Sequence, residues 1–66
     1  MSVAKVIEIS ATSTDSFEDA VRQGVAKAGE TVRNIQSAWV KEQIAHVRDN
    51  GVTEFQVNMN ITFVLD

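Results

Sequence analysis

The chain has 66 residues, no cysteine, one histidine, and nine acidic against six basic side chains for a formal net charge of −3. A domain of that length buries a low fraction of its surface, so a lone monomer is marginal. With no thiol for a disulfide or a zinc site, self-association is the remaining stabilising device. The acidic balance argues against binding a phosphate backbone, and no run approaches the ~20 apolar residues that span a bilayer. The expected setting is cytoplasmic, without nucleic-acid or membrane partners.

Val3 to Ser10 holds Val6, Ile7 and Ile9 in a short β-branched stretch and reads as a strand. The polar run from Ala11 to Ser16 leads into a helix start, where Asp15 with Glu18, or Ser16 with Asp19, can form the cap. Beyond it Phe17, Ala20, Val21, Gly24, Val25, Ala28 and Val32 recur at spacings of three and four, which sets them on one helical face. Gly24 sits on that stripe, where glycine costs roughly 1 kcal/mol of helix stability relative to alanine. A close approach of a strand would justify it.

Farther on, Phe55, Val57, Met59, Ile61, Phe63 and Leu65 alternate with Glu54, Gln56, Asn58, Asn60 and Thr62, the signature of a strand with one dry face. Ile35 to Val47 alternates less cleanly and reads as a second long strand, joined to the last by a hairpin at Asp49-Asn50-Gly51. Asn50-Gly51 as the two-residue turn of type I′ pairs Asp49 with Val52. That register sets Ile44 opposite Val57, Val40 opposite Ile61, Ala38 opposite Phe63 and Gln56 opposite Ala45. No repeat or linker interrupts the chain, so the expectation is one α+β domain over residues 1–66, a β-α-β-β subunit with a three-stranded antiparallel sheet wrapping one helix.

One helix covers one sheet face, and the other face and both edges stay open. On the hairpin register the open face carries Ser37, Trp39, Lys41, Gln43 and Ala45 facing Val64, Thr62, Asn60, Asn58 and Gln56. A tryptophan there calls for cover, from another subunit, the commoner circumstance for Trp, or from a flat ligand. There is no Cys nucleophile, no Ser-His-Asp pattern in a suitable context and no glycine-rich phosphate loop. The expectation is therefore a binding or shell-forming protein and not an enzyme.

The opening AKVIEISATSTDSFEDAV, the helix end KAGETVRNI and the closing FQVNMNITFVLD resemble the dodecin family over essentially the whole chain, with no gap between Thr31 and Leu65. The resemblance implies a hollow homo-dodecamer that binds flavins, commonly riboflavin, FMN or FAD, in stacked pairs at symmetry axes for storage. By the same resemblance Gln56 aligns with the glutamine that hydrogen-bonds the flavin ring edge. Ser37 takes the place of the stacking tryptophan, while Ile44 and Val64 take the places of two arginines, and His46 matches a frequent histidine of bacterial members. Trp39 lies two residues after the lost clamp, on the same strand face, where it takes over stacking or closes the site. On the expected register His46 faces the core side.

The family also includes members without the clamp, described as calcium-associated or without an assigned ligand, and the small residues Ser37 and Ala38 resemble those. The implied alternative is a calcium-stabilised shell that binds no flavin, with Glu8, Asp15, Glu18, Glu42 and Asp49 as candidate oxygen ligands and no diagnostic cation loop among them. On the expected register Trp39 faces Thr62, six residues from Gln56, or roughly 20 Å at ~3.3 Å per residue. The two therefore reach one ligand only across a subunit boundary.

Overall fold

A computed structural model describes residues 2–66. Its elements are strand β1 (Ala4–Ser13), helix α1 (Phe17–Ala28), strand β2 (Ile35–Arg48) and strand β3 (Gly51–Val64). They form the β-α-β-β subunit read from the sequence, and the single sheet is antiparallel throughout with β3 in the centre, in the order β1-β3-β2. The unbroken alternation of β3 explains its central place: it has a ladder partner on each side and one face to bury.

β1 runs to Ser13, three residues beyond the stretch rich in β-branched residues, because Ala11, Thr12 and Ser13 pair with Val57, Gln56 and Phe55. Ser13 is buried and hydrogen-bonded: its Oγ donates to Asp19 Oδ2 at 2.6 Å and accepts from the Asp15 amide at 2.9 Å. Of the two caps the sequence allows, Ser16 is the one formed. It is extended at φ −170°, and its Oγ accepts from the Asp19 amide at 2.9 Å, satisfying one of the free donors of the first turn. The helix ends at Ala28, so Val32 lies in the following turn, its N–H bonded to the Ala28 carbonyl at 3.0 Å.

α1 lies on the sheet through Ala20, Gly24 and Ala28, all buried. The core beneath is Val57, Met59 and Ile61, each fully buried, with Ile9, Ala11, Phe17, Val21, Ala38 and Val40 packed around. Phe17 and Phe55 close one end edge-to-face, ring centroids 5.1 Å apart. Gly24 is the point of closest approach: a Cβ there would stand 2.6 Å from Met59 Cε and 3.0 Å from Ala11 Cβ. The helix propensity given up at this position is spent on contact with the sheet.

The hairpin differs from the sequence reading. Arg48 pairs with Gly51, so the turn residues are Asp49 and Asn50, both left-handed at φ 53° and 65°, and no glycine has a positive φ. Asp and Asn tolerate that region because their short side chains bond locally, so an Asp-Asn pair supplies the type I′ twist unaided. Three irregularities then shift the register, with Gln36 and Lys41 as extra residues on β2 and Thr53 as one on β3. Ala38 therefore faces Ile61, Val40 faces Met59, Ile44 faces Gln56, and Trp39 faces Asn60.

The molecule is long and thin, 51 × 19 × 14 Å, with a radius of gyration of 13.5 Å against about 11 Å for a compact chain of this length. The helix covers only one end of the sheet, and every residue from Lys41 to Glu54 is exposed. That arm carries Ile44, Val47 and Val52 in the open, the last two at 63% and 53% exposure.

Candidate functional site

The bulge at Lys41 decides which side chains meet on the uncovered face. Two residues there oppose one on β3, so alternation changes phase along β2. Before the bulge Ala38 and Val40 face the helix. After it Gln43 and Ala45 pair with the inward residues Val57 and Phe55, while Glu42, Ile44 and His46 join the open face with Gln56 and Asn58. This reverses the assignment drawn from an unbroken register, in which Gln43 and Ala45 were outward and Ile44 and His46 inward.

A chain of polar contacts runs across this face. His46 Nε2 bonds Gln56 Oε1 at 2.6 Å; Gln56 Nε2 donates to Ser10 Oγ at 3.1 Å and to Asn58 Oδ1 at 3.0 Å; Asn58 Nδ2 donates to Glu42 Oε1 at 2.8 Å. All three strands contribute, and Ser10 is positioned by β1 pairing directly with Asn58. Glu8, Ile9, Ser10, Glu42 and Asn58 line a hollow of about 340 Å³. Beside it Lys41 Nζ donates to Glu8 Oε2 at 2.9 Å. That hydrogen bond, the Glu8 charge and, more weakly, the Glu42 charge hold the Lys41 ammonium above its ordinary pKa.

The sequence-derived site residues fall at three levels of the sheet. Gln56, Ile44 and His46 stand together toward the hairpin. Trp39, 64% exposed, stands opposite Asn60, and Ser37 opposite Thr62; Val64 pairs with Ala4 at the far end. Trp39 and Gln56 are thus four residues apart along β3, about 13 Å and not the 20 Å of the unbroken register. Among the described residues no three His, Cys, Asp or Glu side chains group as a metal site. Of the carboxylates named from the sequence, Glu8 and Glu42 share the hollow; Glu18 is paired with Arg22 on the helix at 2.9 Å, and Asp49 is at the turn.

Ser10 and Asn58 as partners of Gln56, and Glu42 as the partner of Asn58, were not found by sequence reasoning. The alternation of β3 did mark Asn58 and Gln56 as same-face neighbours. Bringing Glu42 and His46 to them needed the bulge, which leaves no residue-type signal at Lys41.

This geometry occurs within a fold that known proteins share. The family model described as dodecin matches residues 3–66. The chain belongs to the dodecin family. It is 36% identical over 63 residues to a calcium dodecin of Mycobacterium tuberculosis, covering 96% of this chain and 89% of that one. It is 33% identical over 64 residues to a dodecin of Thermus thermophilus, covering 97% and 93%. A crystal structure of an arginine-to-alanine variant of T. thermophilus dodecin superposes with a TM-score of 0.94 at 32% identity, covering all of this chain and 98% of that one. The β-α-β-β fold is therefore shared with these dodecins over the whole of the described chain.

Proposed function

We propose that the chain assembles as a closed homo-dodecamer and binds a flat small molecule, a flavin such as riboflavin, FMN or FAD, between subunits, for storage and not for catalysis. The observation that carries this reading is the open face itself: a Gln56 amide held in a polar chain and, farther along the same face, an exposed Trp39, on a sheet whose other face carries the helix at one end. Gln56 addresses the polar edge of the ring and Trp39 offers a stacking surface. Ile44 and Val64 are apolar where flavin-binding relatives carry arginines, and the Lys41 ammonium is already paired with Glu8, which favours riboflavin over FMN and FAD. His46 acts through Gln56, and Ser37 leaves the clamp position empty of an aromatic ring.

At about 13 Å apart, Trp39 and Gln56 of one chain do not meet a single ring system, so the site takes Trp39 from one subunit and Gln56 from another. A closed symmetric oligomer repeats such a composite site at no further sequence cost. Titration of the purified protein with riboflavin, followed by flavin fluorescence, tests this reading. Binding that tightens in Ser37→Trp supports it, since an aromatic contact contributes about 0.5–1.5 kcal/mol beyond area burial. Absence of riboflavin binding in both proteins, with the oligomer intact, would contradict it.

One observation favours a second reading, a calcium-stabilised shell. Glu8 and Glu42 line the same hollow, and a relative 36% identical is named a calcium dodecin. A hard cation takes six to eight oxygens, so two carboxylates would need a second subunit or water to complete the shell, and Lys41 would have to release Glu8. Calcium titration by calorimetry against the Glu8→Gln variant separates the readings: heat in the native protein that the variant lacks supports calcium.

A further inference from the structure

The contacts around Gln56 form a directed chain, and one end of it is fixed by chemistry. An ionised carboxylate only accepts, so Asn58 must turn its Nδ2 toward Glu42 and its Oδ1 toward Gln56. An amide oxygen facing Gln56 in turn requires the Gln56 Nε2 on that side. Its two hydrogens are used on Asn58 Oδ1 and Ser10 Oγ, and its Oε1 is turned to His46. His46 then has to carry its proton on Nε2 to make the 2.6 Å contact. Amide orientation and histidine tautomer are set by such networks, and here every step follows from a single carboxylate.

We propose that Glu42 is the positioning residue of this face: through Asn58 it fixes the Gln56 amide with its donors consumed and its oxygen outward, and it fixes His46 as the Nε2–H tautomer. This rests, for its consequence on ligand choice, on the reading of Gln56 as the ring-edge contact. Gln56 Oε1 keeps one lone pair free of His46, so the site asks for a ring that presents an N–H donor. The ligand class is a planar heterocycle with an imide or lactam N–H at its edge; a ring offering only acceptors there meets an oxygen and is rejected. Residue type at position 56 alone does not give this selectivity, because a glutamine free to rotate offers a donor or an acceptor at will.

Reversing the charge at position 42 reverses the chain. In Glu42→Lys the new ammonium donates to Asn58 Oδ1, Asn58 presents Nδ2 to Gln56, Gln56 turns its oxygen inward, and its Nε2 toward His46 demands an acceptor there. His46 is the sole histidine, so the nitrogen shifts of one imidazole report the outcome without a ligand. In ¹⁵N-detected spectra at a pH where the ring is neutral, the native protein should show the Nε2–H form and Glu42→Lys a shift toward Nδ1–H. The double variant Glu42→Lys with Asn58→Asp should return to Nε2–H, because an aspartate at 58 accepts from Gln56 whatever stands at 42. Native mass spectra identical for all three exclude misassembly as the cause. An unchanged tautomer in Glu42→Lys, or no rescue in the double variant, overturns the proposal whatever the ligand proves to be. On the ligand side, the native protein should bind riboflavin at least tenfold more tightly than its N3-methyl derivative, and the ratio should fall in Glu42→Lys. Equal native affinity for the two overturns the selectivity. Failure of either flavin to bind any variant counts against the flavin reading, while the imidazole spectra still decide the role of Glu42.

Discussion

The two ends of the sheet are built from the same strands and have opposite fates. Where α1 lies on it, Val57, Met59 and Ile61 are completely buried and Gly24 lets the helix close to contact distance. From Lys41 to Glu54 the two longest strands run on as an exposed ribbon that carries Ile44, Val47 and Val52. An isolated two-stranded ribbon is marginal in water. The covered end is stabilised within the chain, whereas the bare end and the Trp39 face are left exposed by it and, in the proposed assembly, gain their burial from other copies. Total exposed area agrees: 4721 Å² against about 4,200 Å² for a compact monomer of this mass.

Breaking the covered end has the largest effect. Met59→Ala removes a fully buried side chain that contacts Gly24, and the loss should be about 2–5 kcal/mol, read by urea denaturation of the subunit fold. Val52→Ser, on the bare arm, should leave the subunit's circular dichroism unchanged and lower the oligomer's resistance to dilution. Equal damage to secondary structure from both would erase the distinction between the two ends.

The turn sharpens the comparison. Asn50 sits at φ 65°, so Asn50→Val should cost about 1–2 kcal/mol and lower Tm by several degrees. Gly51 has no positive φ, and a Cβ on it would meet only the Arg48 carbonyl at 3.7 Å, so Gly51→Ala should be close to neutral. Thermal melts of the pair settle whether Asp49-Asn50 is the turn.

How far this architecture was legible follows from the residues themselves. The period of β3 and the three-and-four spacing of α1 gave the order of elements, the dry face and the reason for Gly24, because burial imposes those periods on residue type. Register was harder. A strong Asn-Gly signal drew the turn one residue too far, although Asp49 and Asn50 satisfy the same backbone demand. The bulges at Gln36, Lys41 and Thr53 depend on sheet twist and tertiary fit, which no single residue announces. Hence Gln56 and Trp39 were placed on the open face from sequence, while the contacts of Gln56 with His46 and with the Asn58–Glu42 pair became visible only in three dimensions.

At the helix-sheet contact, Gly24→Ala gains roughly 1 kcal/mol of helix propensity and loses about 1–3 kcal/mol to overpacking against Met59 and Ala11. A net loss of about 1 kcal/mol in chemical denaturation is expected; a gain would mean that Met59 swings aside freely.

The smallest effect concerns Lys41. Its folded pKa is raised by the hydrogen bond to Glu8 and by the Glu8 charge, so its contribution is complete below the ordinary lysine pKa and is lost as pH rises through the raised value. Lys41→Met should therefore flatten the decline of stability above about pH 10 in an alkaline melt series and leave the neutral range nearly unchanged.

The central claim is that the bare end and the site are completed by other copies of the chain. Riboflavin affinity and oligomer mass, measured on the same samples across a denaturant series that dissociates the assembly without unfolding the subunit, test it directly. Affinity should fall in step with the loss of the dodecamer. Undiminished binding by isolated subunits, or a native mass spectrum dominated by monomer or dimer at micromolar concentration and neutral pH, would contradict it.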